Sequence, residues 1–135
     1  MKFNILLTFV WLSMRAAGQQ FVDASKFPLV PYSPSIYGVN ARNEISISTI
    51  FAQGLKVILA DKTFKVIQFE VLYDCHSRSM LDFDTKRYSG DKVDPKDEYL
   101  RKRILAGDGM EIFNTVIEKN GLKYRMKEFD FIVTK

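Results

Sequence analysis

Asn120-Gly121 sits between long runs that alternate apolar and polar residues, and this placement narrows the folds open to the chain more than any other feature. An Asn-Gly pair takes positive φ at both positions with little strain, which a two-residue hairpin turn demands. Before the pair, residues 109–118 read as one strand. After it, residues 124–126 read as the returning strand and 128–133 as the closing one, with Phe129, Phe131 and Val133 on one face. A period of two marks strands with one face buried. The carboxyl-terminal third therefore predicts a meander of at least three strands.

The same period recurs upstream. Residues 44–48 alternate as a half-buried strand, and residues 55–60 form a second candidate between Gly54 and Asp61. Residues 65–73 give the clearest pattern. Ile67, Phe69, Val71 and Tyr73 are assigned to the core, and Gln68, Glu70 and Leu72 to the opposite, solvent face. Phe64 and Val66 have the other phase, which predicts a bulge near Val66-Ile67. Residues 80–83 read as a short strand and 87–92 as a turn. One helix of about ten to twelve residues is predicted, with Asp94 as N-cap, Pro95 at N1 and Gly107 as the stop.

Residues 19–42 read as an extended leader, because Pro28, Pro31 and Pro34 recur at every third position. Each proline fixes its own φ and pushes the preceding residue to extended geometry. Such a leader either docks on another protein or covers an edge of its own domain. Ahead of it, residues 1–18 have the layout of a secretory signal peptide. Lys2 gives a charged start, an apolar run of about ten residues follows, and Ala16 and Gly18 supply the small residues of a cleavage site between Gly18 and Gln19. A spanning helix needs about twenty apolar residues, so membrane contact is expected only in transit. The lone Cys75 permits no intrachain disulfide, which suits a bacterial periplasm better than a eukaryotic secretory route.

Charge argues against nucleic acid as a partner. The formal net charge is +4, of which Lys2 and Arg15 in the leading segment supply two, and acids and bases alternate through the rest. The cluster Arg101-Lys102-Arg103 falls in the predicted helix and reads as a solvated face. The inventory for catalysis is thin. His76 is the only histidine, and its neighbour Cys75 would point to the opposite side of an extended strand, so the two make a poor metal or nucleophile-base pair. Gly107-Asp108-Gly109 follows a helix rather than preceding one, unlike a phosphate-binding turn. Asp82, Asp84 and Asp91 lack calcium-loop spacing. No catalytic residue, metal site or cofactor is expected.

Three stretches resemble the carboxyl-terminal domain of the gliding-motility protein family GldM. They are residues 45–57, residues 63–71, and residues 103–113 followed by Gly121 and by Phe129-Asp130-Phe131-Ile132. The resemblance runs over residues 43–135 and is carried by core and turn positions. It implies a mainly β, immunoglobulin-like sandwich in a Bacteroidetes periplasm, from a family that works in gliding and type IX secretion. Full-length members add a spanning helix and a long stalk, so the docking role of the terminal domain is what carries over.

The expectation is thus an exported, non-catalytic interaction domain of the cell envelope, with a signal peptide at 1–18, a leader at 19–42 and a β-sandwich at 43–135. Its partner is another envelope protein or a second copy of itself. Lys119, Lys123 and Arg125 on the hairpin are the candidate partner contacts. The rival readings are an exported carbohydrate-binding sandwich, using Tyr37, Tyr88 and Tyr124, and an enzyme inhibitor.

Overall fold

The computed structural model of the chain describes residues 20–74 and 83–135. The expected signal peptide with its Gly18–Gln19 junction, Cys75, His76, Asp82 and residues 80–82 of the short predicted strand lie outside the described residues. A 3-10 turn at Ala24–Lys26 opens the described chain. Then come β1 (Ser35–Ile36), β2 (Glu44–Ser46), α1 (Ile47–Gln53), β3 (Leu55–Ile58), β4 (Lys65–Asp74), β5 (Phe83–Ser89), β6 (Lys92–Val93), α2 (Glu98–Arg103), β7 (Gly109–Lys119), β8 (Leu122–Arg125) and β9 (Phe129–Thr134).

The protein is mainly β, with two sheets. Six strands form the larger, in the order β2-β9-β7-β4-β5, with β8 also paired to β7. The smaller has the order β1-β3-β6. β4 and β7 are the long central pair, and their apolar faces set the core. Phe69, Val71 and Tyr73 from β4 pack with Met110 and Ile112 from β7 and with Phe131 and Val133 from β9. Ile36, Leu55, Val57 and Val93 of the smaller sheet belong to the same core cluster, so the two sheets share one interior. Two tyrosine hydroxyls buried in this core meet each other: those of Tyr73 and Tyr88 lie 2.7 Å apart. Burial is the chief reason that both phenols are held well above their ordinary pKa.

The hairpin and the bulge follow the sequence pattern. Asn120 and Gly121 have φ of 53° and 77°, and Lys119 faces Leu122 across the turn. β4 and β7 slip register between Val66 and Gln68 and again between Gln68 and Glu70. Ile67 is the extra residue on β4, and the compensating extra residue on β7 lies at Asn114-Thr115, where Asn114 has φ 48°. Asn114 Nδ2 donates to Glu70 at 2.7 Å and ties the irregular strand to its neighbour.

Ile67, expected in the core, is only half-buried, because the bulge takes it out of the alternation. Four further expectations are corrected. The alternation of 44–48 ends at Ser46, whose hydroxyl accepts the Thr49 N–H and caps α1. An N-cap hydroxyl competes well with a strand, and Ile50 is buried from the helix face instead. The second helix is also shorter than predicted. Asp97 is its N-cap, taking the Leu100 N–H at 2.9 Å, whereas Asp94 holds a preceding turn through the Lys96 N–H. The helix stops at Arg103 because buried Ile104 is extended. Gly107 instead turns the chain toward β7, donating to the Val133 carbonyl. The predicted turn at 87–92 shrinks to Gly90-Asp91, since β5 runs through Ser89.

Gln68 is the fourth correction: it is only 3% exposed. Its side-chain amide accepts the Val22 N–H and donates to the Val22 carbonyl, both at 2.8 Å. The glutamine thus stands in for a strand neighbour, and the leader covers it. The leader continues as an edge cover. Val30 N–H donates to the Arg125 carbonyl and Arg125 N–H to the Pro28 carbonyl, so the outer edge of β8 is taken by the chain's own residues. Ala24 and Ile36 are buried, and β1 itself belongs to the smaller sheet. Packing therefore extends into the leader as far as Phe21, whose ring centre lies 5.9 Å from the Arg87 guanidinium.

Gln68→Asp is accordingly a damaging change. It shortens the side chain, breaks both Val22 bonds and places a charge under the leader. Leaving buried polar groups unpaired predicts a loss of about 2–3 kcal/mol in chemical denaturation. A loss below about 0.5 kcal/mol, the usual size for a surface site, would mean that the leader does not hold this position.

Candidate interaction surfaces

The three hairpin residues singled out from sequence are already engaged. Lys123 pairs with Glu118 at 3.6 Å. Lys119 Nζ lies 5.2 Å from the centre of the Phe64 ring, and that ring meets Tyr124 edge-on. Arg125 is half-buried, its backbone N–H and carbonyl both bond to the leader, and its Nε is buried without a hydrogen-bond partner among the described residues. The hairpin therefore presents Leu122, 61% exposed, more freely than its charges. A reversal at Arg125 would disturb the leader as well as any partner. Alternation placed these side chains on a strand but carried no signal that the leader would run beside them.

The tyrosines do not make one platform. Of the three singled out from sequence, Tyr88 is buried, Tyr124 is half-buried against Phe64, and Tyr37 stands well exposed. In the basic run after Asp97, Arg101 and Lys102 are exposed, as a solvated face requires, and Arg103 is half-buried. Arg101 donates to the carbonyls of Pro95 and Phe51, and Arg103 pairs with Asp84 at 2.8 Å. Among the described residues no group of three or more His, Cys, Asp or Glu is placed to hold a metal ion. No helix among them is long and apolar enough to cross a membrane.

Two open clefts stand out among the described residues. The first, about 450 Å³, lies on the outer face of the larger sheet between Arg42, Leu72, Glu111, Asp130 and Ile132. Glu111 and Asp130 are direct cross-strand partners. Partial burial, and then the charges of Asp130 and Glu128, hold the Glu111 carboxyl above its usual range. The folded state thus binds that proton more tightly than the unfolded chain does. The resulting stabilisation is complete at low pH and disappears as pH rises through the folded pKa. Glu111→Gln should raise the melting temperature at about pH 7, with the gain vanishing below about pH 4. Melting curves at the two pH values check this; an equal shift at both would mean that charge repulsion is not the cause.

The second cleft, about 500 Å³, opens where the chain passes from the larger sheet to the smaller. Gly90 N–H donates to the Ile67 carbonyl and Val57 N–H to the Asp91 carbonyl, both at 2.7 Å. On that side, pairing of β4 with β5 ends at Gln68–Ser89, and pairing of β3 with β6 ends at Lys56–Lys92. Beyond the turn, the cleft has Ile58-Leu59 after β3 as one wall and Phe64-Lys65-Val66 at the start of β4 as another, and Lys56, Lys62 and Asp91 also line it. Asp61 shapes the loop that carries Lys62, accepting from the Thr63 N–H at 3.0 Å and the Thr63 hydroxyl at 2.6 Å. Those two bonds hold the Asp61 carboxyl below its usual range.

What the fold and surfaces define is a mainly β, two-sheet protein with its own leader laid along one edge. No protein-family model matches the chain, and no curated protein matches it.

Proposed function

We propose that this chain is an exported, non-catalytic protein-interaction domain of the periplasm or cell envelope, and that its fold is an immunoglobulin-like sandwich similar to the terminal domain of GldM. The observation that carries the reading is the second cleft, where two strands lose their partners beside exposed apolar and basic side chains. Unpaired strand edges next to side-chain pockets are what extended protein segments dock on. Two sheets around one core support the sandwich. The division into six and three strands and the parallel β2–β9 pair depart from the four-plus-three antiparallel immunoglobulin plan, so the likeness is one of layering more than of strand order. The leader serves its own domain by closing the β8 edge, a common device against unwanted pairing.

Export rests on the layout of residues 1–18. The test is to express the full chain in its native envelope background with a photo-crosslinker at Ile58. The expected product begins at Gln19, is found in the envelope fraction, and forms a discrete adduct with another envelope protein. A chain that begins at Met1 in the cytoplasm would overturn export. A hydrolytic activity abolished by His76→Ala, with the fold intact, would replace the binding domain with an enzyme.

A further inference from the structure

We infer that the cleft between β3 and the start of β4 takes an acidic peptide segment of a partner protein, bound in extended form; this rests on the interaction-domain reading and names the partner's chemistry. Charge is the first argument. Three lysines, Lys56, Lys62 and Lys65, line the cleft against the single acid Asp91. Lys92 adds a fourth positive charge beside them, directly opposite Lys56 across the β3–β6 pair. Like charges facing each other across strands are unfavourable. None of these four lysines forms an ion pair among the described residues, although lysines elsewhere do, as Lys86 with Asp97 and Lys123 with Glu118. A bound carboxylate would relieve the repulsion and gain from each amine it approaches.

Backbone and shape are the second argument. Among the described residues, Ile58 has a strand partner only on the β1 side, at Ser35, and Lys65 only on the β7 side, at Glu118. The Gly90-Asp91 turn fills the space between the two sheets up to this point and then leaves it. An extended segment can continue where the turn stops and pair with the free edge on either wall. Its side chains would alternate between the apolar surface of Ile58, Leu59 and Phe64 and the lysines, as period two requires. The cleft volume falls in the range of ordinary ligand sites. A polyanion without apolar groups would leave the Ile58, Leu59 and Phe64 surface unused.

The experiment uses the full chain and a fluorescent peptide of alternating glutamate and valine, read by anisotropy. Binding is expected, weakening as salt is raised, with no binding of the lysine-valine counterpart. Lys56→Glu with Lys62→Glu should weaken it about tenfold or more. This pair is chosen because both side chains are exposed and Lys56→Glu would face Lys92, so the fold gains an opposite-charge pair. Reversal of exposed Lys26 and Lys127, which lie outside the cleft, keeps the same net charge and should leave affinity unchanged. A peptide N-methylated on alternate residues should bind at least several-fold more weakly, since it cannot complete a ladder. Equal binding of both peptides, equal loss in the two reversal pairs, or displacement by single-stranded DNA at lower concentration than by the acidic peptide would each overturn the assignment. The Ile58 adduct separates the two levels. If it persists unchanged in the Lys56→Glu, Lys62→Glu protein, the acidic-peptide assignment fails and the interaction domain stands. If no adduct forms in the unaltered protein, the broader reading fails with it.

Discussion

Phe69→Ala lowers the unfolding free energy by about 3–5 kcal/mol. Phe69 is fully buried in the middle of β4, where the larger sheet meets the shared core. Its ring stacks on Tyr88, with centroids 5.6 Å apart and planes 25° from parallel. Tyr88 in turn holds the hydroxyl of Tyr73 inside the core. Truncation removes the transfer energy of the ring and leaves a void whose lining cannot collapse easily, because β4 is paired on both sides. The loss should appear as a lower denaturation midpoint with an unchanged slope. A loss under about 1 kcal/mol would place Phe69 outside the main core.

Gly54→Ala produces an effect of similar size by another route. Gly54 closes α1 with φ 75° and ψ −159°, a region that residues with a Cβ almost never occupy. A Cβ there would also lie 2.0 Å from the Val93 carbonyl oxygen and close to Pro95. Both obstacles are backbone or ring atoms, so relief means moving β6 away from β3. Strain of about 1–3 kcal/mol adds to overpacking of about 1–3 kcal/mol. Gly90→Ala is the control. Gly90 also has positive φ, 78°, but a Cβ there meets nothing within 4 Å, so its loss should stay near 1–2 kcal/mol. Comparing the two variants by chemical denaturation isolates the clash. Equal losses would show that conformation alone decides both sites.

Local chemistry was legible in the sequence wherever one residue type serves one purpose. Asn120-Gly121 makes the hairpin because both residues tolerate positive φ. The phase break at Val66-Ile67 became a bulge because a strand cannot change its buried face without an extra residue. Phe131 and Val133 are buried as their alternation implies, since period two carries every second side chain to the same face.

Tertiary structure alone decided what covers what. Gln68 fits a solvent face in its own strand, and only Val22, 46 residues away, makes it a buried backbone mimic. Arg125 looks like a free hairpin cation until the leader is laid beside it. Ser46 ends one pattern and caps another, and the choice falls to the helix because Ile50 finds a place in the core. The lysine-lined cleft brings residues 56–66 together with Gly90 and Asp91, segments that share no motif along the chain. Alternation records which way a side chain points within its own strand; it carries no information about which distant segment will lie against it. That is settled by the joint burial of many surfaces, a property of the whole chain.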